Sequence, residues 1–301
     1  VYKDESGNTP IFSSVKRAEE LLLQREKTKT YLAIEGDSDY GTLTRELLFG
    51  KDHPLVTGGR AVTADTPGGT AALRVGAEFI KQMLPNATVW LSEPTWPNHP
   101  SVFGNAGLQT RPYPYYDGAT KGLAFQTFFN TLNELPAHDA VLLHACCHNP
   151  SGMDPSNEQW EMLAHAAAKQ GFLTLIDFAY QGLGDGLDED AYGVRTFVER
   201  GVPLLICSSY SKNFGLYNER VGALTVVAPD ADQASRALSN IRLLIRAMYS
   251  NPPAHGAAVV TTILQTPELR TEWEKEVRAM CARIKSMREL FVDTLKAKGV
   301  R

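Results

Sequence analysis

The feature that most constrains the fold is an alternation of short apolar runs with longer amphipathic segments. Five runs have the length and β-branched character of buried strands: 88–91, 140–144, 172–177, 204–208 and 223–227. Strands with nearly continuous apolar sequence are typical of a sheet that is covered on both faces. The alternation therefore predicts an α/β fold with a mostly parallel central sheet and helices on both faces.

Helices are predicted from periodicity and from capping residues. Residues 69–84 place apolar side chains on one stripe at helical spacing. Ser156 and Gln159 form a capping box that opens a further helix, and Thr266 before a proline opens a long C-terminal one. Residues 113–118 are rich in tyrosine, proline and glycine, and we expect a loop there.

Charge and composition exclude several classes of partner. The 301 residues carry 30 Lys and Arg against 34 Asp and Glu, and no basic cluster would hold nucleic acid or anionic lipid. No apolar run approaches the roughly 20 residues that span a bilayer. The four cysteines lack the spacing of a secreted disulfide framework. We therefore expect a cytoplasmic protein with no nucleic-acid or membrane partner.

A dense cluster of potential metal ligands lies between residues 144 and 148. It contains His144, Cys146, Cys147 and His148. Successive side chains of an extended segment point to opposite faces, which is a poor arrangement for one tetrahedral zinc ion. The sequence therefore predicts no metal site.

The segment Thr66-Pro67-Gly68-Gly69-Thr70 leads directly into the first predicted helix. Unpaired N–H groups and the helix dipole at such a start favour an anion, which makes the segment a candidate phosphate site. A simple glycine turn is the alternative, because neither the P-loop pattern nor the dinucleotide glycine pattern is present.

Asp177 ends an apolar run, which puts a carboxylate at the C-terminal end of a buried strand. Open α/β sheets bind ligands at that edge, and a buried carboxylate requires a positive partner. A protonated pyridine nitrogen is one candidate partner. A helix N-cap or a turn is the alternative role.

Lys212 follows another apolar run and a series of hydroxyl residues. A lysine amine at a sheet edge can form a Schiff base with an aldehyde, and Ser209 and Ser211 are suitable phosphate donors. Arg220 can add a two-point clamp on the same phosphate. An ordinary solvated surface lysine is the alternative.

Two isolated side chains add aromatic and amide chemistry. Trp96 offers an indole that can stack on a flat heteroaromatic ring. Asn149 offers an amide that can donate to a phenolic oxygen. Taken singly, each side chain is more often structural.

These pieces occur together and in order, and the chain resembles the aspartate aminotransferase family of fold-type I pyridoxal-phosphate enzymes, its bacterial members in particular. The similarity extends along essentially the whole chain and is most specific at 209–222, SYSKNFGLYNERVG. The other matching segments are 31–32, 67–70, 96–99, 148–150, 177–182 and 246–253.

The resemblance implies a catalytic set of Lys212, Asp177 and Tyr180. Lys212 would form the Schiff base with pyridoxal 5'-phosphate. Asp177 would pair with the pyridinium nitrogen and would be supported by His99, so that the ring stays protonated and can accept electron density.

Further residues would hold the cofactor and the substrate. Trp96 would stack on the ring, and Asn149 with Tyr180 would hydrogen-bond the phenolic oxygen. Trp96 and Asn149 would also contact the substrate. The phosphate would be held by Gly69, Thr70, Ser209, Ser211 and Arg220.

In this family a two-fold dimer completes each site, so a homodimer is implied. Tyr31 would reach the neighbouring phosphate, and Arg246 would bind the side-chain carboxylate of a substrate in the other subunit. The implied domains are 1–9 as part of a small domain, 10–278 as the large cofactor-binding domain and 279–301 as the start of the C-terminal small domain. The arginine that binds the substrate α-carboxylate in the family would lie beyond the end of this sequence.

The implied activity is transamination between aspartate and 2-oxoglutarate, which gives oxaloacetate and glutamate. Its substrates would be amino acids and 2-keto acids. An aromatic-amino-acid aminotransferase is the nearest alternative, since those relatives keep the same arginine. A non-catalytic phosphate-binding module is the distant alternative.

Overall fold

A seven-stranded sheet forms the centre of the computed structural model, which describes residues 1–299. The strand order is β1-β9-β8-β7-β6-β2-β3, and a separate hairpin joins β4 to β5. The strands are β1 (Ala61–Pro67), β2 (Thr88–Glu93), β3 (Gln109–Pro114), β4 (Tyr116–Asp117), β5 (Gly122–Leu123), β6 (Ala140–His144), β7 (Leu173–Phe178), β8 (Leu204–Ser209) and β9 (Val221–Val227). Within the large sheet, β9 is antiparallel to both its neighbours, and the other pairings are parallel.

Helices connect the strands and extend beyond them. They are α1 (Ser13–Arg25), α2 (Ser38–Phe49), α3 (Pro54–Thr57), α4 (Gly69–Met83), α5 (His99–Asn105), α6 (Phe125–Asn133), α7 (Asn157–Gln170), α8 (Tyr192–Glu199), α9 (Ala231–Met248), α10 (Ala254–Gln265) and α11 (Pro267–Ala297). The predicted starts of α7 and α11 are confirmed, and the capping box of Ser156 and Gln159 is present.

Both faces of the sheet are covered by helices, as predicted. Along β8, Leu205 and Cys207 pack in the cluster that includes α4, α5 and α9, whereas Leu204 and Ile206 pack with α6, α7 and α8. This alternation follows from the two-residue period of a strand. The continuous apolar runs of the central strands therefore reflect burial on both sides.

Two strands of the large sheet, β1 and β3, were not predicted. β1 carries buried polar side chains such as Thr63 and Asp65, so it lacks an apolar run. β3 lies at the sheet edge, where proline is tolerated because one side of the strand has no hydrogen-bonded neighbour. The loop expected at 113–118 is therefore wrong in part, since it contains the end of β3 and all of β4.

A third apolar cluster packs beside the sheet and joins α1, α2, α10 and α11. Its largest member is Trp273, whose ring stacks on Phe214 at 4.3 Å. α11 continues without a break across the predicted domain boundary at 278, and the domain division stays a prediction. The last two residues of the predicted segment 279–301 lie outside the described residues. Among residues 1–299, no helix combines the length and apolar character needed to cross a bilayer.

Candidate active site

A cavity of about 320 Å³ opens where the C-terminal ends of three central strands meet. His144 of β6 lies opposite Asp177 of β7, and Asp177 lies opposite Cys207 of β8. Most of the predicted site residues line this one cavity, although they are far apart in sequence. They are Gly69, Thr70, Trp96, Asn149, Asp177, Tyr180, Ser209, Ser211, Lys212 and Arg220.

Lys212 projects into the cavity from the turn that follows β8. Its Nζ lies 4.7 Å from the centre of the Tyr180 ring. Burial lowers the pKa of Lys212. The charge of Asp177 raises this pKa, and the charge of Arg220 lowers it further. The shift favours the neutral amine, which is the nucleophilic form of lysine. A solvated surface lysine, the alternative role, does not fit this half-buried position.

Asp177 is held by a hydrogen bond to His99. Nε2 of His99 lies 2.9 Å from Oδ2 of Asp177, and the two side chains are 0% and 11% exposed. Burial raises the pKa of Asp177, but the hydrogen bond to His99 and the nearby charges outweigh it and keep the pKa below its usual value. The site therefore contains an ionised carboxylate, and Nε2 of His99 is the donor to it.

The hydrogen bonds continue behind His99 through residues that the sequence did not indicate. Oγ1 of Thr95 lies 2.8 Å from Nδ1 of His99 and 3.4 Å from Nε2 of His144. Burial lowers the pKa of His144 to about 4, so its ring is neutral at pH 7. Because Thr95 occupies the second ring nitrogen of His99, it fixes the ring that donates to Asp177.

The start of α4 forms a cradle for an anion. Gly68 has a φ of 83°, which favours glycine, and a side chain on it would collide with Arg220. A Cβ atom added to Gly69 would lie 2.9 Å from the Cβ atom of Ser209. Nη1 of Arg220 lies 3.4 Å from Oγ of Ser211. The small residues therefore leave room beside hydroxyls, helix N–H groups and one guanidinium, which is a donor set for a phosphate.

Three of the predicted residues lie outside the cavity lining. His99 is fully buried behind Asp177, in the supporting position expected of it. Tyr31 is 91% exposed. Arg246 is also exposed, and its Nη1 donates to Oγ of Ser250 at 2.7 Å. Within a single chain, Tyr31 and Arg246 therefore lie apart from the predicted site residues that line the cavity.

Five further residues line the cavity and were given no role in it from the sequence: Leu73, His144, Cys146, Ala179 and Tyr217. His144 lies at the C-terminal end of β6, directly beside Asp177 of β7. The reasoning that made Asp177 a ligand-binding candidate, its place at this edge of the sheet, therefore applies to His144 as well. Tyr217 lies within the specific segment 209–222, and its Oη accepts a hydrogen bond from the backbone N–H of Tyr2 at 3.0 Å. Within the described range, no group of three or more side chains is arranged to bind a metal ion.

Similarity to known proteins extends along the whole chain. The whole chain, residues 1–301, matches the family "Aminotransferase class I and II". Aspartate aminotransferase of Escherichia coli is 55% identical over 299 residues, which are 99% of this chain and 76% of that protein. Aromatic-amino-acid aminotransferase of Pseudomonas aeruginosa is 46% identical over 300 residues, or 100% of this chain and 75% of that protein.

Solved structures show the same similarity in three dimensions. The aromatic-amino-acid aminotransferase from Burkholderia pseudomallei, covalently bound to pyridoxal phosphate, superposes with a TM-score of 0.98 at 41% identity. The match covers 100% of this chain and 75% of that one. Similarity of this extent, in sequence and in fold, establishes that the chain belongs to the class I and II aminotransferases.

Proposed function

We propose that this chain is a pyridoxal-phosphate-dependent aminotransferase that moves an amino group between aspartate and 2-oxoglutarate, giving oxaloacetate and glutamate. The observation that carries the proposal is the meeting of the Lys212 amine and the ionised Asp177 carboxylate in one cavity. The relatives from Escherichia coli, Salmonella typhi and Haemophilus influenzae, 52–55% identical to this chain, all have the name aspartate aminotransferase.

The donor set of the cavity fits this cofactor. The anion cradle at the start of α4 suits the phosphate, and the indole of Trp96 suits the face of the ring. Asn149 and Tyr180 offer donors for the phenolic oxygen. When bound, pyridoxal phosphate supplies a reactive aldehyde and a ring that accepts electron density.

Asp177 would present an ionised carboxylate to the ring nitrogen of the cofactor and so favour its protonated form. A carboxylate with so little exposure prefers a cationic partner, because water screens it poorly. His99 holds the carboxylate in place from behind, and Thr95 holds His99. We assign Asp177 as a catalytic residue, and His99 and Thr95 as positioning residues.

Lys212 has two tasks in the proposal. Its amine would hold the cofactor through the aldehyde group, and the lowered pKa of Lys212 favours the neutral form that such a bond requires. Once free, the same Nζ would act as the base that takes the proton from the substrate α-carbon. The neighbouring ring of Tyr180 limits where this amine can move.

Lys212→Ala tests the function directly. We expect loss of the transamination cycle with aspartate, measured as oxaloacetate formation, while the fold survives because a shorter side chain only enlarges the cavity. Lys212→Arg is the matched variant, since it keeps the charge and the bulk but cannot act as a neutral amine. Near wild-type turnover in either variant would contradict the assignment.

The proposal includes a homodimer in which Arg246 and Tyr31 serve the site of the partner. Both side chains are exposed and lie outside the cavity of their own chain. An arginine binds a dicarboxylic substrate through two parallel hydrogen bonds, which favours aspartate and glutamate.

A cytoplasmic location completes the proposal, in line with the rice relative that is named as cytoplasmic.

An aromatic-amino-acid aminotransferase is the second candidate function, because relatives of that name are 46% identical in Pseudomonas aeruginosa and in Burkholderia cenocepacia. Catalytic efficiency on aspartate and on phenylalanine separates the two. A clear preference for aspartate supports the main proposal. A clear preference for phenylalanine would replace it with the second.

A further inference from the structure

His148 is a buried histidine to which the proposed function gives no role. It is 1% exposed, and it directly precedes Asn149, which lines the cavity of Lys212. A buried imidazole costs free energy unless its nitrogens have hydrogen-bond partners. The contacts of the ring therefore show what His148 holds in place.

The turn that carries Asn149 is shaped by backbone hydrogen bonds. The extended geometry expected of this segment is wrong at Cys147, whose φ of 50° is left-handed. Asp154 accepts hydrogen bonds from the backbone N–H groups of Cys147 and His148, at 2.6 and 2.9 Å. The backbone N–H of Gly152 donates to the carbonyl oxygen of His148 at 2.7 Å. These contacts close the turn on itself, and none of them reaches a strand of the sheet.

The ring of His148 connects this turn to the sheet. Its Nε2 lies 2.8 Å from Oγ of Ser92, a buried residue of β2. Its Nδ1 lies 2.7 Å from Oγ of Ser151, which belongs to the turn itself. The ring of Tyr115 stacks on the imidazole with the centroids 3.9 Å apart, and its Oη donates to the carbonyl oxygen of Met153 at 2.7 Å. Both ring nitrogens and one ring face are thus occupied.

The partners of the ring favour one direction of hydrogen bonding through it. Burial, with two nearby histidine rings, lowers the pKa of His148 to about 3, so the ring is neutral at pH 7 and donates from one nitrogen only. The backbone N–H of Met153 donates to Oγ of Ser151 at 3.2 Å, which leaves the hydroxyl hydrogen of Ser151 to donate to Nδ1. Nε2–H of His148 is then the donor to Ser92.

Asn149 is held on its other side by the strand next to Asp177. Its backbone N–H donates to Nδ1 of His144, the last residue of β6, at 3.3 Å. The rings of His144 and His148 pack on each other with the centroids 4.2 Å apart. A shift of the His148 ring would therefore disturb both the turn and the group that receives the N–H of Asn149.

We propose that His148 is a positioning residue, which fixes the turn so that the amide of Asn149 is presented to the cavity of Lys212. Nε2–H tethers the turn to β2 through Ser92, and Nδ1 receives the hydroxyl of Ser151 and keeps the turn closed. The inference rests on the proposed function, because the amide matters when it donates to the phenolic oxygen of the cofactor. His148 acts through Asn149 and is not itself a catalytic residue.

The protonation of the His148 ring is tested without cofactor or substrate. Histidine labelled with nitrogen-15 is incorporated into the full chain, and His148→Gln identifies the signals of this ring by their loss from the magnetic-resonance spectrum. At neutral pH we expect a proton on Nε2 and none on Nδ1. A charged ring, or a proton on Nδ1, would overturn the tether, whatever reaction the enzyme catalyses.

Ser92→Ala removes the tether and keeps the imidazole, so it separates positioning from overall folding. In the full chain with bound pyridoxal phosphate, donation from Asn149 favours the ionised phenolic oxygen and lowers the pKa of the cofactor. We expect Ser92→Ala to raise this pKa by at least about 0.5 unit, read from the visible absorbance against pH. The double variant with Asn149→Ala should shift it no further than Asn149→Ala alone, because the tether acts through that amide.

Ser208→Ala is the matched control at a buried serine. The Oγ of Ser208 has no hydrogen-bond partner among residues 1–299, so its removal should leave the pKa of the cofactor unchanged. No shift in Ser92→Ala, or a shift that adds in full to that of Asn149→Ala, would overturn the proposal. A chain that bound no pyridoxal phosphate would contradict the proposed function, and the labelled-histidine spectrum would still decide the contacts of His148.

Discussion

Ionisation of single buried side chains sets the chemistry of this site. Asp177 is nearly buried, and burial raises its pKa, but the hydrogen bond from His99 and the electrostatic effect of His99, His144 and Lys212 outweigh burial and keep the pKa below its usual value. Lys212 has the opposite environment, in which burial favours its neutral form. A charged carboxylate, and an amine whose pKa is shifted towards its neutral form, are what the proposed reaction needs.

Asp177→Asn should separate charge from shape. The amide keeps the size of the side chain but does not hold a cationic ring nitrogen, so we expect turnover to fall by roughly 100-fold or more. The absorbance of the bound cofactor, followed against pH, should lose the signature of the protonated ring. His99→Asn is the comparison, since it removes the support but leaves the carboxylate. Unchanged turnover in Asp177→Asn would show that the carboxylate has no such role.

Asp65 is a buried carboxylate with no such support. It is 2% exposed, its Oδ2 has no hydrogen-bond partner among residues 1–299, and burial raises its pKa well above the usual value. The folded state therefore keeps Asp65 protonated at pH values where the unfolded state has lost this proton. The stability that this protonation contributes is fully present below the unfolded pKa of Asp65, about 4. It is lost as the pH rises towards the folded pKa.

Asp65→Asn should therefore stabilise the chain, and by more at higher pH. The expected gain grows by about 1.4 kcal/mol for each pH unit between the unfolded and the folded pKa. Urea unfolding of both proteins at pH 5 and pH 7 measures the difference. Asp188→Asn, at an exposed aspartate, is the control. A gain that is the same at both pH values would contradict the assignment.

At the scale of elements, the anion cradle depends on the close approach of β9 to the start of α4. A Cβ on Gly222 would lie 2.5 Å from the carbonyl carbon of Gly68 and 2.7 Å from the amide nitrogen of Gly69. The carbonyl oxygen of Gly222 accepts a hydrogen bond from Oη of Tyr40 at 2.7 Å. One strand thus supports the loop that would bind the phosphate.

Gly222→Ala should displace this loop, because backbone atoms cannot move aside as a flexible side chain can. We expect weaker binding of pyridoxal phosphate and a loss of stability of about 1–3 kcal/mol. Equilibrium dialysis and urea unfolding measure the two effects. Gly104→Ala is a suitable control, since a Cβ there meets open space. Cofactor affinity equal to that of the wild type would exclude the proposed role of the contact.

At the scale of the whole molecule, the site of a single chain lacks two of its predicted members. Tyr31 and Arg246 are exposed, and large apolar side chains near Arg246, Leu243 at 68% and Met248 at 38%, are exposed too. Exposed apolar groups beside functional residues fit a subunit interface. A two-fold dimer would give each site residues from both chains.

Mixing two defective variants tests this arrangement. Lys212→Ala and Arg246→Ala should each be nearly inactive on aspartate, but random exchange of subunits gives heterodimers in which one site has both native residues. Equal mixing should then restore about a quarter of the wild-type activity. Mixing Lys212→Ala with Lys212→Arg is the control and should restore none. No recovery after verified exchange would contradict the shared site.

Local patterns in the sequence determined the central strands and the starts of α7 and α11, and they indicated Lys212 and Asp177 as candidate reactive residues. Each of these depends on neighbours within a few positions, as in a capping box or an apolar run. Tertiary structure alone decided that Thr95 links His99 to His144, 49 positions along the chain from Thr95, and that β1 and β3 join the large sheet. These features depend on contacts between distant parts of the chain, which local patterns do not encode.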